Sequence, residues 1–331
     1  MTHDGRQPDT VEVPFSRGSP RSASAMTPTC KLAVVLLTFN EAKHLARAME
    51  SVRELASEVF VIDSGSTDGT QDIARSLGAT VLENPFVNHA QQFQWAMDHA
   101  TITADWVMRL DADEIVEPDL VAEIKAKMPT LPPDVTGINL KRKTIFMGRW
   151  LRYGGRYPVL LLRIWRAGKA RIEQRWMDEH MLLTEGRAVT FEGGFSDHNL
   201  NDLSFFTNKH NKYATREALD ILNQKMNLFP RDEALAKGNT SVRASTTRFL
   251  KERFYNRLPF EVATFGYFIM RYIFQLGFLD GREGATYHFL QGYWYRFLVG
   301  AKVEELRRAI VHLDDPVAIR AELGKLTGQK L

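Results

Sequence analysis

The chain has 331 residues, 44% of them hydrophobic, and a formal charge of +3. That length supports a full core and one large domain or one and a half, while so small a charge identifies no partner by itself. The single cysteine, Cys30, excludes a disulfide framework and a cysteine-rich zinc site and fits a reducing compartment.

Residues 1–29 are rich in Pro, Ser, Thr, Gly and Arg and read as a disordered leader. They lack the apolar core of a signal peptide, so export by the general secretory route is not expected. From Lys31 the pattern alternates. Leu32–Leu37 reads as a buried strand. Asn40 to Val52 reads as a helix with Leu45, Ala48, Met49 and Val52 on one face. Val59–Ile62 is a second strand, Asp68–Leu77 a helix stopped by Gly78, and Thr80–Leu82 a short third strand. His89–His99 is a helix and Trp106–Leu110 a fourth strand. Leu120, Ile124 and Met128 then mark a helix, and the Pro129–Pro133 cluster closes the unit. Such alternation predicts a parallel sheet wound with helices.

Residues 135–195 change character. Ile138–Lys141, Val159–Trp165, His180–Leu183 and Val189–Phe191 read as strands of a mixed sheet, punctuated by Gly154-Gly155 and Gly193-Gly194. From Asp202 onward the chain is helical. Between 245 and 309 aromatic side chains and arginines interleave, as in Phe249, Arg253, Phe254, Arg271, Tyr272 and Phe274. This composition suits a membrane-surface platform, an oligomer interface or an ordinary core. No nucleic-acid motif accompanies it. The longest apolar candidate, Val262–Met270, ends at Arg271 and falls short of the ~20 residues that span a bilayer.

Two acidic strand ends carry the chemistry. The fourth strand runs into Leu110-Asp111-Ala112-Asp113-Glu114, and the second into Asp63-Ser64-Gly65-Ser66-Thr67-Asp68-Gly69-Thr70. Two carboxylates one residue apart at a strand end can face one cation, and a divalent cation there can hold a diphosphate. Ligands of open α/β sheets bind at this edge. A glycine-rich phosphate loop is absent after the first strand, which argues against a dinucleotide oxidoreductase or a pyrophosphorylase.

With Leu36-Leu37-Thr38-Phe39-Asn40-Glu41 before them, these motifs resemble the family 2 glycosyltransferases of the GT-A fold. More narrowly, they resemble the bacterial branch that builds lipopolysaccharide core or lipid-linked surface glycans. The tail Gly281-Arg282-Glu283-Gly284, followed by Phe289 to Phe297, is similar to that branch too. The resemblance covers roughly residues 31 to 305. It implies an α/β domain over 30–200, with a mostly parallel, Rossmann-like sheet and helices on both faces. A helical region over 201–331 would meet membrane or a partner subunit.

The resemblance also implies roles. Asp113 would coordinate Mg²⁺ or Mn²⁺ bridging the donor phosphates, and Asp111 would touch ribose or donor sugar. Their rival role is an acidic turn before the helix at Pro118. Asp63 would bond the base or ribose, unless it only builds its turn. Thr38, Phe39, Asn40 and Glu41 would flank the base, although Asn40 can equally cap a helix. Asp68 reads as a cap. Gln92 and Gln94 would lie near the nucleotide or on a polar helix face; Gln94 stands where the family commonly has Asn. Glu179, or Asp178 beside it, would be the base for the acceptor hydroxyl. His198 is a candidate third metal ligand or phosphate contact. Arg163, Arg166 and Lys169 could meet a phosphorylated acceptor or lipid headgroup, and Trp150, Tyr153 and Gly154-Gly155 could line an acceptor pocket; a solvated face and core packing are the rivals.

The expected protein is thus an inverting, metal-dependent glycosyltransferase. It would use a nucleotide-sugar donor, a UDP-sugar, and a hydroxyl of a glycolipid or lipopolysaccharide-core acceptor. It would work peripherally at the cytoplasmic face of the inner membrane, as a monomer or a homo-oligomer, without nucleic acid. The rival is a non-catalytic scaffold that binds nucleotide-sugars.

Overall fold

The computed structural model describes residues 30–173, 180–228, 259–329 and 331. The expected leader, the expected base Glu179 with Asp178, and the aromatic–arginine stretch up to Arg257 lie outside the described residues.

Strand β1 (Leu32–Thr38) explains the first half of the molecule. Successive side chains of a strand point to opposite faces. Leu32, Val34 and Leu36 pack with helices α1 (Leu45–Val52), α2 (Thr70–Ser76) and α4 (Pro118–Lys127). Ala33 and Val35 pack on the other face with α3 (His89–His99). Both faces are covered, so the strand is a continuous apolar run rather than an alternating one. It lies between β2 (Ala56–Asp63) and β4 (Trp106–Arg109), parallel to both, and β3 (Thr80–Glu83) extends the parallel set beyond β2.

Helix α1 starts at Leu45 rather than Asn40. Asn40 has a left-handed φ of 56°, and the loop bonds described below hold Asn40, Glu41 and Ala42 outside the helix.

The strands of residues 135–195 add to the same sheet, apart from one short pair. The parallel core continues into β8 (Val159–Arg166), β6 (Val135–Phe146), β11 (Arg187–Asp197) and β5 (Glu114–Val116), in the order β3-β2-β1-β4-β8-β6-β11-β5, with β7 (Arg149–Leu151) on β6. Strands β8 and β5 run antiparallel to their neighbours, so the second half of the sheet is mixed. Among the described residues only β9 (Ala170–Ile172) and β10 (Met181–Leu183) stand apart, as an antiparallel pair against the α3 face. Gly193-Gly194 does not end a strand; β11 runs through it. A Cβ at Gly193 would come within 2.6 Å of the Leu120 Cα, so glycine is what lets α4 lie against β11.

The C-terminal helices are α5 (Leu203–Met226), α6 (Phe260–Ile269), α7 (Gly281–Tyr287), α8 (Tyr295–Ile310) and α9 (Pro316–Thr327). Leu219 and Leu222 of α5 pack on Leu306, Ile310, Ile319 and Leu323. Phe146, Leu151 and Tyr287, with Phe206 and Leu290, join this bundle to the sheet. Helix α6 runs into π-helical Met270–Phe274, and α7 into π-helical His288–Trp294; such turns occur frequently at functional sites. Among the described residues no single helix is long and apolar enough to cross a membrane. The pair Phe260–Phe274 and Gly277–Ile310, bent by 70°, passes that test only together.

His288 locks this junction. It is buried, and its ring fills the space that a Cβ would take at Gly154 or Gly277. Burial first, then Arg271 and Arg156, lower its pKa to about 4. The unfolded chain therefore takes up this proton near the ordinary value of about 6.5, before the folded protein does. The stability contribution is complete above about pH 6.5 and is lost as the pH falls toward 4. Urea denaturation at about pH 7 and pH 5 is expected to show a His288-dependent loss of about 2 kcal/mol. The loss should be absent from a His288→Phe protein, and an equal pH dependence in that variant would refute the assignment.

Candidate active site

The carboxyl ends of β1, β2 and β3 are bound together by a loop network. Asp63 is fully buried. Its Oδ1 accepts from Gly65 N (3.0 Å), Ser66 N (2.8 Å) and Gln71 Nε2 (2.8 Å), and its Oδ2 from Thr38 Oγ1 (2.8 Å) and Ser66 Oγ (2.5 Å). Burial alone would raise its pKa, but these donors hold the carboxyl below its usual range. The Asp63 side chain thus organises the loop in this structure, and its acceptor capacity is spent there. Thr38 is buried beside it. Asn40 N donates to Ser66 Oγ and Asn40 Oδ1 accepts from Thr67 N, while Glu41 N donates to Thr70 Oγ1. Asp68 accepts from Ala42 N and from Thr70 N, but the cap position of α2 is Gly69, so Asp68 joins the two loops from one residue ahead of the cap rather than capping the helix as expected.

Gln92 is also buried and engaged, donating to Ser64 Oγ and Asn84 O and accepting from Asn84 Nδ2 at 2.7 Å. Gln94 bonds Asp98 on the exposed helix face. Of the loop residues, Phe39 faces outward, 59% exposed. The network therefore presents loop backbone and the Phe39 ring at the sheet edge. Glu41 turns inward to His44 Nδ1, at 2.6 Å.

Asp111 and Asp113 follow β4 on a turn closed by Glu114, whose Oε2 accepts from Asp111 N at 2.9 Å. Arg163, buried on β8, bridges the group: its Nη2 lies 2.6 Å from Glu114 Oε1 and 3.2 Å from Asp111 Oδ2. Arg109 adds a second cation, 3.4 Å from Asp111 Oδ1. Burial would raise Asp111, but Arg163 and Arg109 hold it well below the usual carboxylate range. Burial pushes Glu114 up, against Arg163. Burial would lower Arg163, but Glu114 and Asp111 raise it. Arg163 is thus an internal counter-ion, not a surface contact for an acceptor. Arg166 and Lys169 are likewise engaged elsewhere: Arg166 Nε donates to Val135 O, and Lys169 pairs with Glu185.

Asp113 differs. Its Oδ2 accepts from Asn199 Nδ2 at 2.9 Å, and it opens on a cavity of about 910 Å³ between β6, β11, α5 and the C-terminal helices. His198 N donates to Asp113 O at 3.0 Å, so both residues line the cavity. Burial, then Arg47 and His44, lower the His198 pKa. Asp197 joins them, its pKa raised by burial and by Asp113. Asp111, Asp113 and His198 do not form a three-ligand set: no group of three His, Cys, Asp or Glu side chains able to hold a metal occurs among the described residues. The donors present still fit a hard cation. Magnesium-like ions are held by one or two carboxylates, with phosphates and water completing the shell, and the arginines already balance Asp111.

Sequence reasoning missed Glu114, Asp197 and Lys209 as site residues, and it set Arg163 at an acceptor or on a solvated face rather than against the acidic turn. Burial would lower the pKa of Lys209 on α5, but Tyr213, then Asp113 and Asp197, raise it. Only the lysine's three-residue offset from Phe206 on an inward helix face hinted at it. Trp150, Tyr153 and Gly154-Gly155 do not line the cavity; Arg142, Phe146, Phe206 and Tyr287 do. Trp150 instead meets the cations of Arg152 and Lys143.

A parallel α/β core with acidic strand ends opening on a large cavity is the architecture of the GT-A fold. Residues 33–191 match the model for glycosyl transferase family 2, and this domain is a family 2 glycosyltransferase domain. An uncharacterized glycosyltransferase of Rickettsia felis is 39% identical over 95 residues, 29% of this chain and 33% of the relative. The chain thus spans about a third of the length of the first such relatives. The lipopolysaccharide core biosynthesis glycosyltransferase LpsC of Rhizobium meliloti is 25% identical over 201 residues, 58% of this chain and 72% of LpsC. Glucosyl-3-phosphoglycerate synthase from Mycobacterium tuberculosis aligns over 35% of this chain and 44% of its own, with 24% identity and a TM-score of 0.29.

Proposed function

We propose that the chain is an inverting glycosyltransferase that moves a sugar from a nucleotide-diphosphate donor, a UDP-sugar, to a hydroxyl of a glycolipid of the lipopolysaccharide-core kind. The carrying observation is the division of labour at the β4 turn. Asp111 is neutralised by Arg163 and Arg109, while Asp113 faces the cavity. The family domain and the likeness to LpsC support the reaction and acceptor class.

The loop after β1 and the loop after β2, braced by Asp63, Gln92, Thr38 and Asn40, would flank the nucleotide, with the exposed Phe39 ring available to stack on the base. Asp113 would hold Mg²⁺ or Mn²⁺, which as a Lewis acid supplies stabilisation of the departing diphosphate. Asp111, fixed by two arginines, would orient ribose or donor sugar. Asp113, His198 and Lys209 would shape the wall against which the acceptor approaches, and alignment of its hydroxyl would supply a large share of the acceleration. We assign the acceptor proton to Glu179, with Asp178 beside it. The apolar surface of Val262, Phe265, Met270, Ile273 and Phe274, each at least 44% exposed, supports peripheral contact with a membrane.

Thermal unfolding tests the donor site. UDP with Mn²⁺ is expected to raise the melting point by a few degrees, and UDP with EDTA by much less. A shift with GDP or dTDP only would change the donor. No shift with any nucleoside diphosphate would overturn the reading in favour of a protein without a donor site.

A further inference from the structure

Arg156, Arg271 and Arg296 cluster at one side of the cavity, with no carboxylate among them. Arg156 and Arg296 line it. Arg271 and Arg296 share one ring, their guanidinium carbons 5.1 Å and 3.9 Å from the centroid of Tyr267, and Arg156 lies over Tyr287 at 5.0 Å. Arg271 Nη1 donates to Gly154 O at 2.6 Å, which ties the loop of Arg156 to the π-helical turn of Arg271.

The nearby carboxylates are engaged elsewhere. Asp280 accepts from Arg152 N and Tyr153 N, Glu217 from Tyr295 Oη, and Asp202 from Phe205 N. Asp197 is 3.9 Å from Arg142. Among the described residues none pairs with Arg156, Arg271 or Arg296. Nearby, Arg156 Nε and Gln291 Oε1 are buried without a hydrogen-bond partner. Burial, then Arg156 and Arg296, lower the Arg271 pKa despite Tyr267, as expected of cations that repel one another. Elsewhere in this protein a buried arginine is met by carboxylates, as Arg163 is. Uncompensated cations around a cavity form an anion site, and guanidinium forks match phosphoryl oxygens.

We propose that Arg156, Arg271 and Arg296 form a subsite for a phosphoryl or diphosphate group borne by a lipid. The lipid part follows from the same elements: Phe265, Met270, Phe274 and Phe297 are exposed beside these arginines in sequence, so a phosphoryl head in the cavity can keep its apolar chain against that surface. The proposal deepens the acceptor half of the proposed function and rests on it for biological meaning.

The full-length protein in EDTA is titrated with inorganic pyrophosphate and followed by thermal unfolding. A rise of about 2–4 °C at ten times the half-saturating concentration is expected for the wild type. Arg156→Gln and Arg296→Gln should lose that rise while keeping the shift given by UDP with Mn²⁺. Their ligand-free melting points should be unchanged or higher, because repulsion is relieved; Arg156→Lys, which keeps the charge, should retain part of the rise. An undiminished rise in both glutamine variants, or none in the wild type, overturns the subsite. A missing UDP shift alongside an intact pyrophosphate rise condemns the donor site instead. Flotation with phosphatidylcholine vesicles, with and without phosphatidic acid, reads the source of the phosphoryl group. Binding that needs phosphatidic acid and falls at least fivefold in the glutamine variants supports a lipid-borne group. Pyrophosphate binding without such vesicle binding overturns the lipid part.

Discussion

An Arg163→Met protein is expected to lose about 3–5 kcal/mol of stability in urea denaturation. Arg163 is 5% exposed, and its guanidinium stands against two carboxylates on separate elements, Glu114 on β5 and Asp111 after β4. Removing it leaves Glu114 buried without its counter-charge, and the cost of that desolvated charge dominates the lost Coulomb attraction. Methionine keeps most of the volume, so packing against Phe195, whose ring lies 5.3 Å away, changes little. Two further results distinguish this from a cavity effect. Arg163→Met with Glu114→Gln should recover more than half of the loss, because a neutral amide can stay buried. The single variant should also regain stability on acidification. Without Arg163 the folded pKa of Glu114 lies further above its unfolded value, so the folded state binds its proton first. A loss under about 1 kcal/mol would mean that the bridge is solvated and does not hold the turn.

The same bridge shows why the site was only partly legible in the sequence. Leu32–Leu37 reads as a strand because both of its faces are buried and the run stays apolar. Helix faces such as Leu45, Ala48, Met49 and Val52 repeat at helical spacing, and these four are the buried residues of α1. Ends are different. Asn40 is removed from α1 by Ser66 and Thr67, partners about 26 residues away, which no local pattern contains. Strand β5 is only three residues long and carries no alternation to read. Arg163 stands in a strand pattern like any solvated charge, and its burial depends on carboxylates about 50 residues distant. Asp63 shows the converse. Its position at a strand end was legible, but its five donors were not, and they turn a residue expected at the ligand into one that builds the wall of the site. Arg156 lies more than a hundred residues before Arg271 and Arg296, so only the fold brings the three together.

Asp113→Asn should separate chemistry from architecture. Asp113 makes one side-chain hydrogen bond, with Asn199 Nδ2 on its Oδ2. An asparagine can keep that bond through its carbonyl oxygen, so the melting point should stay within about 2 °C of wild type, a change of less than about 1 kcal/mol. What asparagine removes is the negative charge facing the cavity, and with it the affinity for a hard cation and the stabilisation of charge developing on the leaving diphosphate. On the proposed mechanism, sugar transfer should fall by about 10²–10³, the loss typical when one preorganised electrostatic partner of a transition state is removed. The UDP shift that depends on Mn²⁺ should fall with it, while the pyrophosphate shift measured in EDTA should remain, since that anion is read by the arginines. Asp111→Asn should behave differently. It frees Arg163 and Arg109 of a shared partner, so the fold itself should respond. Full transfer activity in a well-folded Asp113→Asn protein would exclude the carboxylate from the reaction and leave Asp197, on the same cavity wall, as the acidic group to test next.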